Sequence, residues 1–332
     1  MTAVSLGMVV LLSVIAAAVD TAIQPPGKDA YVDQASATTN FGSATSLIVD
    51  GKTPALTGPS AKLKRTFVAF GLSSIPSGSI INSAKLQLFM YDDPSLSLPL
   101  EVHRITGSWT EAGITWNTQP ANTTLATTVN LTGTTDNIFL SFDVTADVQA
   151  FVDGTATNNG WRIADKNEGD SGGGDRLAKF CSKEATTSDP DADCTTARFP
   201  KLLIDYTPPT CELTATSLPP FGPVNPGDTS PAKKTTLTNE GNININSLTL
   251  AGTDWLKVGG GASMYVGQTR WTTSSTLQDY DADMTNVTYS DVSLGITPFA
   301  PSATQDVFFK VRIPADQSAG NYEQTITFTF DC

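Results

Sequence analysis

The stretch Ala84-Lys85-Leu86-Gln87-Leu88-Phe89-Met90 alternates apolar and polar side chains. A period of two belongs to a β-strand with one face in a core and the other in solvent. Similar short runs lie on both sides of it. Ala30-Tyr31-Val32, Ser46-Leu47-Ile48-Val49, Thr66-Phe67-Val68-Ala69-Phe70 and Leu100-Glu101-Val102-His103-Arg104-Ile105 read as strands. So do Asn137-Ile138-Phe139-Leu140-Ser141-Phe142, Gly160-Trp161-Arg162-Ile163 and Lys201-Leu202-Leu203-Ile204-Asp205-Tyr206. Only Ala146 to Val152 reads as a short helix. Many short strands separated by turn clusters predict a β-sandwich over residues 28–206.

A second strand-rich region, residues 211–332, follows the Pro208-Pro209 linker. Its terminal run Gln324-Thr325-Ile326-Thr327-Phe328-Thr329-Phe330 alternates strictly. The four cysteines form two plausible pairs, as expected in an oxidising compartment. Cys181 and Cys194 flank an Asp-rich loop, and Cys211 and Cys332 bracket the whole C-terminal region. Free buried thiols are the alternative. No cysteine spacing suits zinc. The chain has 332 residues, enough for about two domains, with 16% charged residues and a net charge of −13. Nucleic acid is excluded as a partner, since Lys62, Lys64 and Arg65 are the densest basic cluster.

The N-terminus has a different character. Met1 to Ile23 carries one charge, Asp20, and Val9-Val10-Leu11-Leu12-Ser13-Val14-Ile15-Ala16-Ala17-Ala18-Val19 is apolar on every side. This predicts a hydrophobic α-helix over residues 1–24, stopped by Gln24-Pro25-Pro26-Gly27. Such a helix has three fates: removal as a signal peptide near Ala16-Ala17-Ala18-Val19-Asp20, a membrane span, or burial among copies of itself. The fold class expected is therefore mainly β, a hydrophobic N-terminal α-helix followed by two β-sandwiches.

Three resemblances add to this reading. Met1-Thr2-Ala3-Val4-Ser5-Leu6-Gly7-Met8-Val9-Val10 looks like the mature N-terminus of a type IV pilin or archaeal flagellin-like subunit, with Ser5 where bacterial pilins usually carry Glu. It implies a membrane anchor before assembly and a filament core afterwards, built from Val4, Leu6, Met8, Val9, Val10, Leu11, Leu12, Val14, Ile15 and Val19. Residues 28–206 resemble the DNRLRE (disaggregatase-related) family. The resemblance rests on Asp29-Ala30-Tyr31-Val32, Asn40-Phe41-Gly42, Arg65-Thr66-Phe67-Val68-Ala69-Phe70 and above all Ser108-Trp109-Thr110-Glu111-Ala112-Gly113-Ile114-Thr115-Trp116-Asn117-Thr118-Gln119-Pro120. It implies a jelly-roll β-sandwich similar to some carbohydrate-binding modules. Residues 211–332 look like an immunoglobulin-like β-sandwich of the kind found on archaeal surface proteins.

Candidate site residues follow. Likeness to carbohydrate-binding relatives makes Trp109, Trp116 and Trp161 candidate glycan contacts, with packing of the signature loop and core as the alternative. The acidic balance argues against an anionic polysaccharide unless a cation intervenes. Asp165, Asn167, Asp170 and Asp175 offer hard oxygen ligands for a structural calcium ion, without full EF-hand spacing. No other cofactor is expected. Asn122, Asn130 and Asn286 head N-glycosylation sequons. The single histidine, His103, sits mid-strand and no triad or HExxH motif occurs, so no enzyme is expected. Glu101 and Glu111 are the first carboxylates to test for hydrolysis.

The function expected from these residues is a structural subunit of an extracellular filament at the cell surface. It would be a homopolymer joined through N-terminal helices, with the β-domains as an outer sheath and a role in adhesion. The alternative is a secreted or membrane-tethered carbohydrate-binding surface protein that takes surface glycans as its partner.

Overall fold

The computed structural model describes residues 2–8, 17–51, 63–94, 97–131, 136–169, 176–186, 194–261 and 263–332. The chain divides into two compact units, one spanning Ala17–Pro208 and the other joining the N-terminal strand to residues 209–332. In chain order the first strands are β1 (Thr2–Met8), β2 (Val19–Ile23), β3 (Lys28–Asp33), β4 (Ser46–Asp50), β5 (Lys64–Ala69), β6 (Ile80–Asp92), β7 (Leu98–Ile105), β8 (Asn122–Leu131) and β9 (Ile138–Asp143). Then come α1 (Thr145–Val152), β10 (Trp161–Asp165), β11 (Leu177–Cys181) and β12 (Lys201–Thr207).

In the Ala17–Pro208 unit these strands hydrogen-bond in the order β2-β12-β6-β11-β4-β5-β10-β7-β8, with β3 added to β5 and β9 to β6. The sheet wraps around one core that includes Leu47, Val68, Leu86, Leu88, Leu100, Phe142, Trp161, Ile163 and Phe180, giving a sandwich-like body. The alternation of β6 is realised: Ala84, Leu86 and Leu88 are fully buried, while Lys85 is exposed and Gln87 half-buried. Phe89 breaks the pattern by being buried as well. Its face carries a satellite cluster of Tyr91, Phe139, Phe199 and the Cys181–Cys194 disulfide, with the Arg198 guanidinium over its ring. The helix α1 packs Val148 into the main core.

The other unit contains β1 and β13 (Leu213–Ala215), β14 (Gly222–Val224), β15 (Lys233–Asn239), β16 (Ser247–Gly252), β17 (Trp255–Lys257), β18 (Ser263–Met264), β19 (Thr269–Thr272), β20 (Thr285–Asn286), β21 (Val292–Ser293), β22 (Thr304–Val311) and β23 (Tyr322–Asp331). One sheet runs β14-β1-β23-β16-β21 with β17 and β18 at its side, and the other runs β13-β15-β22-β19-β20. Leu237, Trp271, Val307 and Phe309 from the second meet Leu248, Leu250, Trp255 and Tyr322 from the first in one core. Cys211–Cys332 closes this unit.

The N-terminal helix expected from the sequence is not formed by the described residues. Val4, Leu6 and Met8 lie on β1, which pairs in parallel with β23 from Val4↔Tyr322 to Met8↔Ile326 and antiparallel with β14. Thr2 and Val4 are β-branched and Gly7 is a poor helix former, so the local preference favours an extended chain. A continuously apolar run fits a strand between two neighbours as well as a buried helix. Val9, Val10, Leu11, Leu12, Val14 and Ile15 lie outside the described residues. Val19 starts β2, opposite Tyr206 on β12, so it too is extended rather than helical. Among the described residues, no helix is long and apolar enough to cross a membrane.

Candidate functional site

The outward side of β3-β5-β10-β7-β8 carries the polar residues that the core does not need. Directly opposed residues in antiparallel strands share a face, so the register assembles rows across five strands. One row is Ala30, Phe67, Arg162 and His103, and its neighbour includes Ala164, Glu101 and Thr128. Trp161 and Ile163 point to the core from the same strand that turns Arg162 outward.

The signature segment covers one side of this face. Trp109 is buried, its Nε1–H donates to the Asn159 carbonyl at 2.8 Å, and its ring meets Phe67 edge-on. Lys28 lies 4.6 Å over the Trp109 ring and donates to the Trp109 carbonyl. Asn40 donates to the carbonyls of Glu111 and Ile114, and Gly42 packs so closely that a Cβ there would lie 2.2 Å from the Glu111 carbonyl oxygen. These contacts explain why Asn40-Phe41-Gly42 accompanies the Trp109–Glu111 motif. Trp116 is half-buried at the edge of the covered region, with the Arg65 guanidinium carbon 4.5 Å from its ring centroid. Arg65 grips Glu168 with two bonds of 2.7 and 2.5 Å and also donates to Gln119.

Beyond this wall the floor is Arg162, His103 and Glu101. His103 sits between two acceptors, the Thr123 carbonyl at 2.8 Å from Nδ1 and Glu101 Oε2 at 3.1 Å from Nε2. Lys166, largely exposed, approaches Glu101 Oε1 at 3.9 Å. Arg162 is the exception in this satisfied network, because its Nε is buried and meets no acceptor among the described residues. Burial and the nearby Arg65 charge pull its guanidinium below its ordinary pKa, and Glu168 and Glu101 oppose them. A buried donor without an acceptor costs about 1–3 kcal/mol, and a ligand oxygen would recover part of that. Thr128 and Asn130 form the exposed rim.

The tryptophan expectations are corrected in part. Trp109 and Trp161 are buried, 7% and 1% exposed, and present no ring face to a ligand; Trp161 instead donates its Nε1–H to Asp147. Trp116 remains at the site. The calcium expectation is also corrected at Asp165. Its side chain is fully buried, Oδ1 accepts the Asn167 N–H and Oδ2 takes two bonds from Arg176 at 2.9 and 2.5 Å. A guanidinium therefore occupies the place of the cation. Asp170 and Asp175 lie outside the described residues. Of the sequon asparagines, Asn130 and Asn286 are exposed, while Asn122 is half-buried and donates to the Thr123 carbonyl.

One acidic cluster has no local signature in the sequence. Carboxylate oxygens of Asp29, Glu111 and Glu184 lie within 4.8 Å of one another. Lys183 fills it, ion-paired to Glu111 and, at 3.0 Å, to Glu184. Burial and the hydrogen bond to Glu184 push Asp29 up to about 8, although the Lys183 N–H it accepts works in the opposite direction. Burial opposes ionisation of Glu184, yet hydrogen bonds from Asp29, Ser182 and Lys183 hold it below its ordinary value. The cluster ties β3 to the signature loop and to the segment after β11. The Lys183 ion pairs and the hydrogen bonds among its members make it a structural knot.

Comparison with known proteins bears on the same region. The family model described as Carbohydrate-binding module family 96 matches residues 20–196, just over half of the chain. No curated protein matches. Among solved structures, a family 123 glycoside hydrolase from Clostridium perfringens is 13% identical over 32% of this chain and 19% of that one, with a TM-score of 0.23. The Bacteroides uniformis beta-glucuronidase 2 is 9% identical over 93% of this chain and 32% of its own, with a TM-score of 0.18. Red sea bream transglutaminase is 10% identical over 93% and 31%, with a TM-score of 0.14. The chain spans under a third of the length of each, and likenesses this low carry no argument. The family match overturns the expected filament subunit: the matched body is a carbohydrate-binding module, and the apolar start that carried the filament reading contains a strand. The match ends at residue 196, so the immunoglobulin-like reading of residues 211–332 rests on its strand pattern alone.

Proposed function

The chain belongs to carbohydrate-binding module family 96, and from that premise we propose that it binds glycans at the outward face of β5-β10-β7-β8, with Arg162 as the anchor. The observation that carries the reading is the buried, unsatisfied Nε of Arg162 on a face walled by the Arg65-stacked Trp116. A guanidinium fork donates well to paired oxygens, either adjacent sugar hydroxyls or a carboxylate. Arg65, Arg162 and Lys166 gather there in spite of the overall negative charge, so an anionic polysaccharide is not repelled locally. The exposed rim of Thr128 and Asn130 adds polar groups without blocking approach. Two disulfides and the module family point to an extracellular or secreted protein. The role is binding, with no catalytic step assigned to any residue.

The test is isothermal titration calorimetry of the full chain, produced without N-glycosylation, against a neutral β-glucan and a polyuronate. At least one should bind, and Arg162→Ala should weaken it at least tenfold with the fold unchanged by circular dichroism. Binding indifferent to Arg162→Ala would remove this face from the account.

A further inference from the structure

The Thr2–Met8 and 209–332 unit carries an exposed aromatic corner that the module's binding face does not include. Tyr265 and Tyr289 are 58% and 59% exposed, yet their rings meet edge to face, with centroids 5.9 Å apart and planes at 73°. Large exposed aromatic rings normally sample several rotamers, and these two are held. The Tyr289 hydroxyl donates to Asp254 Oδ1 at 2.7 Å, and the same oxygen accepts the Val266 N–H at 2.8 Å. Asp254 is thereby fixed from two sides, and its second oxygen, Oδ2, accepts neither of these bonds.

Tyr265 is held by a different device. It caps the 3₁₀ turn Val266–Gln268, and its ring lies over Gly267, where an added Cβ would come within 2.6 Å of Cε1. A side chain at 267 would push the ring away, so the glycine is what lets the ring lie against the turn. Leu256, two residues from Asp254, is 63% exposed and shares its face with Glu323 across β17 and β23. The Lys257 ammonium next to it is directed to Ser318.

We propose that Tyr265, Tyr289 and Asp254 form a second binding site, for a neutral polysaccharide, separate from the Arg162 face. The apolar C–H side of a pyranose ring packs on an aromatic face, and a fixed ring has less conformational entropy to lose on binding. Asp254 Oδ2 accepts a sugar hydroxyl, and the Asp254 carboxylate disfavours an anionic ligand.

The test uses the full chain carrying Arg162→Ala, produced without N-glycosylation, so that failure of the first site cannot mask the second. Native electrophoresis is run in gels containing hydroxyethylcellulose, galactomannan or xylan. At least one polymer should retard migration. Tyr265→Ala combined with Tyr289→Ala should weaken that binding at least tenfold. Tyr289→Phe keeps the ring but frees it from Asp254, and should weaken binding several-fold. Both tyrosines are exposed, so thermal stability should hold relative to the Arg162→Ala background. Absence of retardation in all three gels overturns the proposal, as does retardation unaffected by the double substitution. A concentration-dependent dimer lost in the same variant would reassign the corner to contact between copies and equally overturn it.

Discussion

Replacing Arg176 by Met leaves a buried carboxylate without its cation. The side chains of Asp165 and Arg176 are 0% and 8% exposed, and the pair shares bonds of 2.9 and 2.5 Å. Asp165 cannot shift to find water on the side of Gly51, where even a Cβ would lie 1.6 Å from Oδ2. Breaking a buried pair from one side costs about 3–5 kcal/mol. For a unit of this size that corresponds to a fall in Tm of roughly 6–20 °C. Neutralising the stranded partner with Asp165→Asn in the Arg176→Met background should return a large part of the loss, because an amide still accepts the Asn167 N–H. Urea denaturation of wild type, the two single variants and the double variant, treated as a cycle, measures the coupling. Millimolar calcium should not stabilise the wild type through Asp165. The reasoning fails if Arg176→Met costs under about 1 kcal/mol, or if calcium raises the wild-type Tm and Asp165→Asn abolishes that rise.

Two further outcomes follow from the same structure. Asp29 holds its proton up to about 8 when folded and releases it near its ordinary 3.8 when unfolded, so the folded state binds more protons between those values. Stability should therefore fall as pH rises through this window, by at most about 1.4 kcal/mol per pH unit from this group, and Asp29→Asn should flatten the dependence. A Tm series in which wild type and Asp29→Asn run parallel would contradict it. Glu184, held below its ordinary value, acts with the opposite sign and only in more acidic solution. Cys211 and Cys332 are separated by 121 positions, and opening that bridge with paired Ala substitutions should destabilise the C-terminal unit by about 4–5 kcal/mol in the chain-entropy model. Calorimetry should show the transition of that unit moving while the Ala17–Pro208 transition stays in place.

Legibility in the sequence followed the range of the interactions. Ala84 to Met90 was readable because alternation is local, and it erred at Phe89, whose second face is covered by residues far along the chain. Trp161 and Arg162 carried a usable signal: adjacent residues on a strand point to opposite faces, so a core tryptophan implies an outward arginine. The knot of Asp29, Glu111, Lys183 and Glu184 had no such trace, since its members come from three separated segments. The apolar start misleads because apolar character on all sides does not distinguish a helix from a strand flanked by two others. Asp165 looked like a calcium ligand because a carboxylate among glycines suits calcium and a guanidinium equally.

The central claim is that the outward face around Arg162 binds a glycan. Hydrogen–deuterium exchange of the full chain, with and without a polysaccharide that binds it, tests this most directly. The account expects slowed exchange in β10, β7 and β8 and in the Trp116–Gln119 turn, with none of that protection in Arg162→Ala. Protection confined to other parts of the Ala17–Pro208 unit, with these strands unchanged, would contradict it.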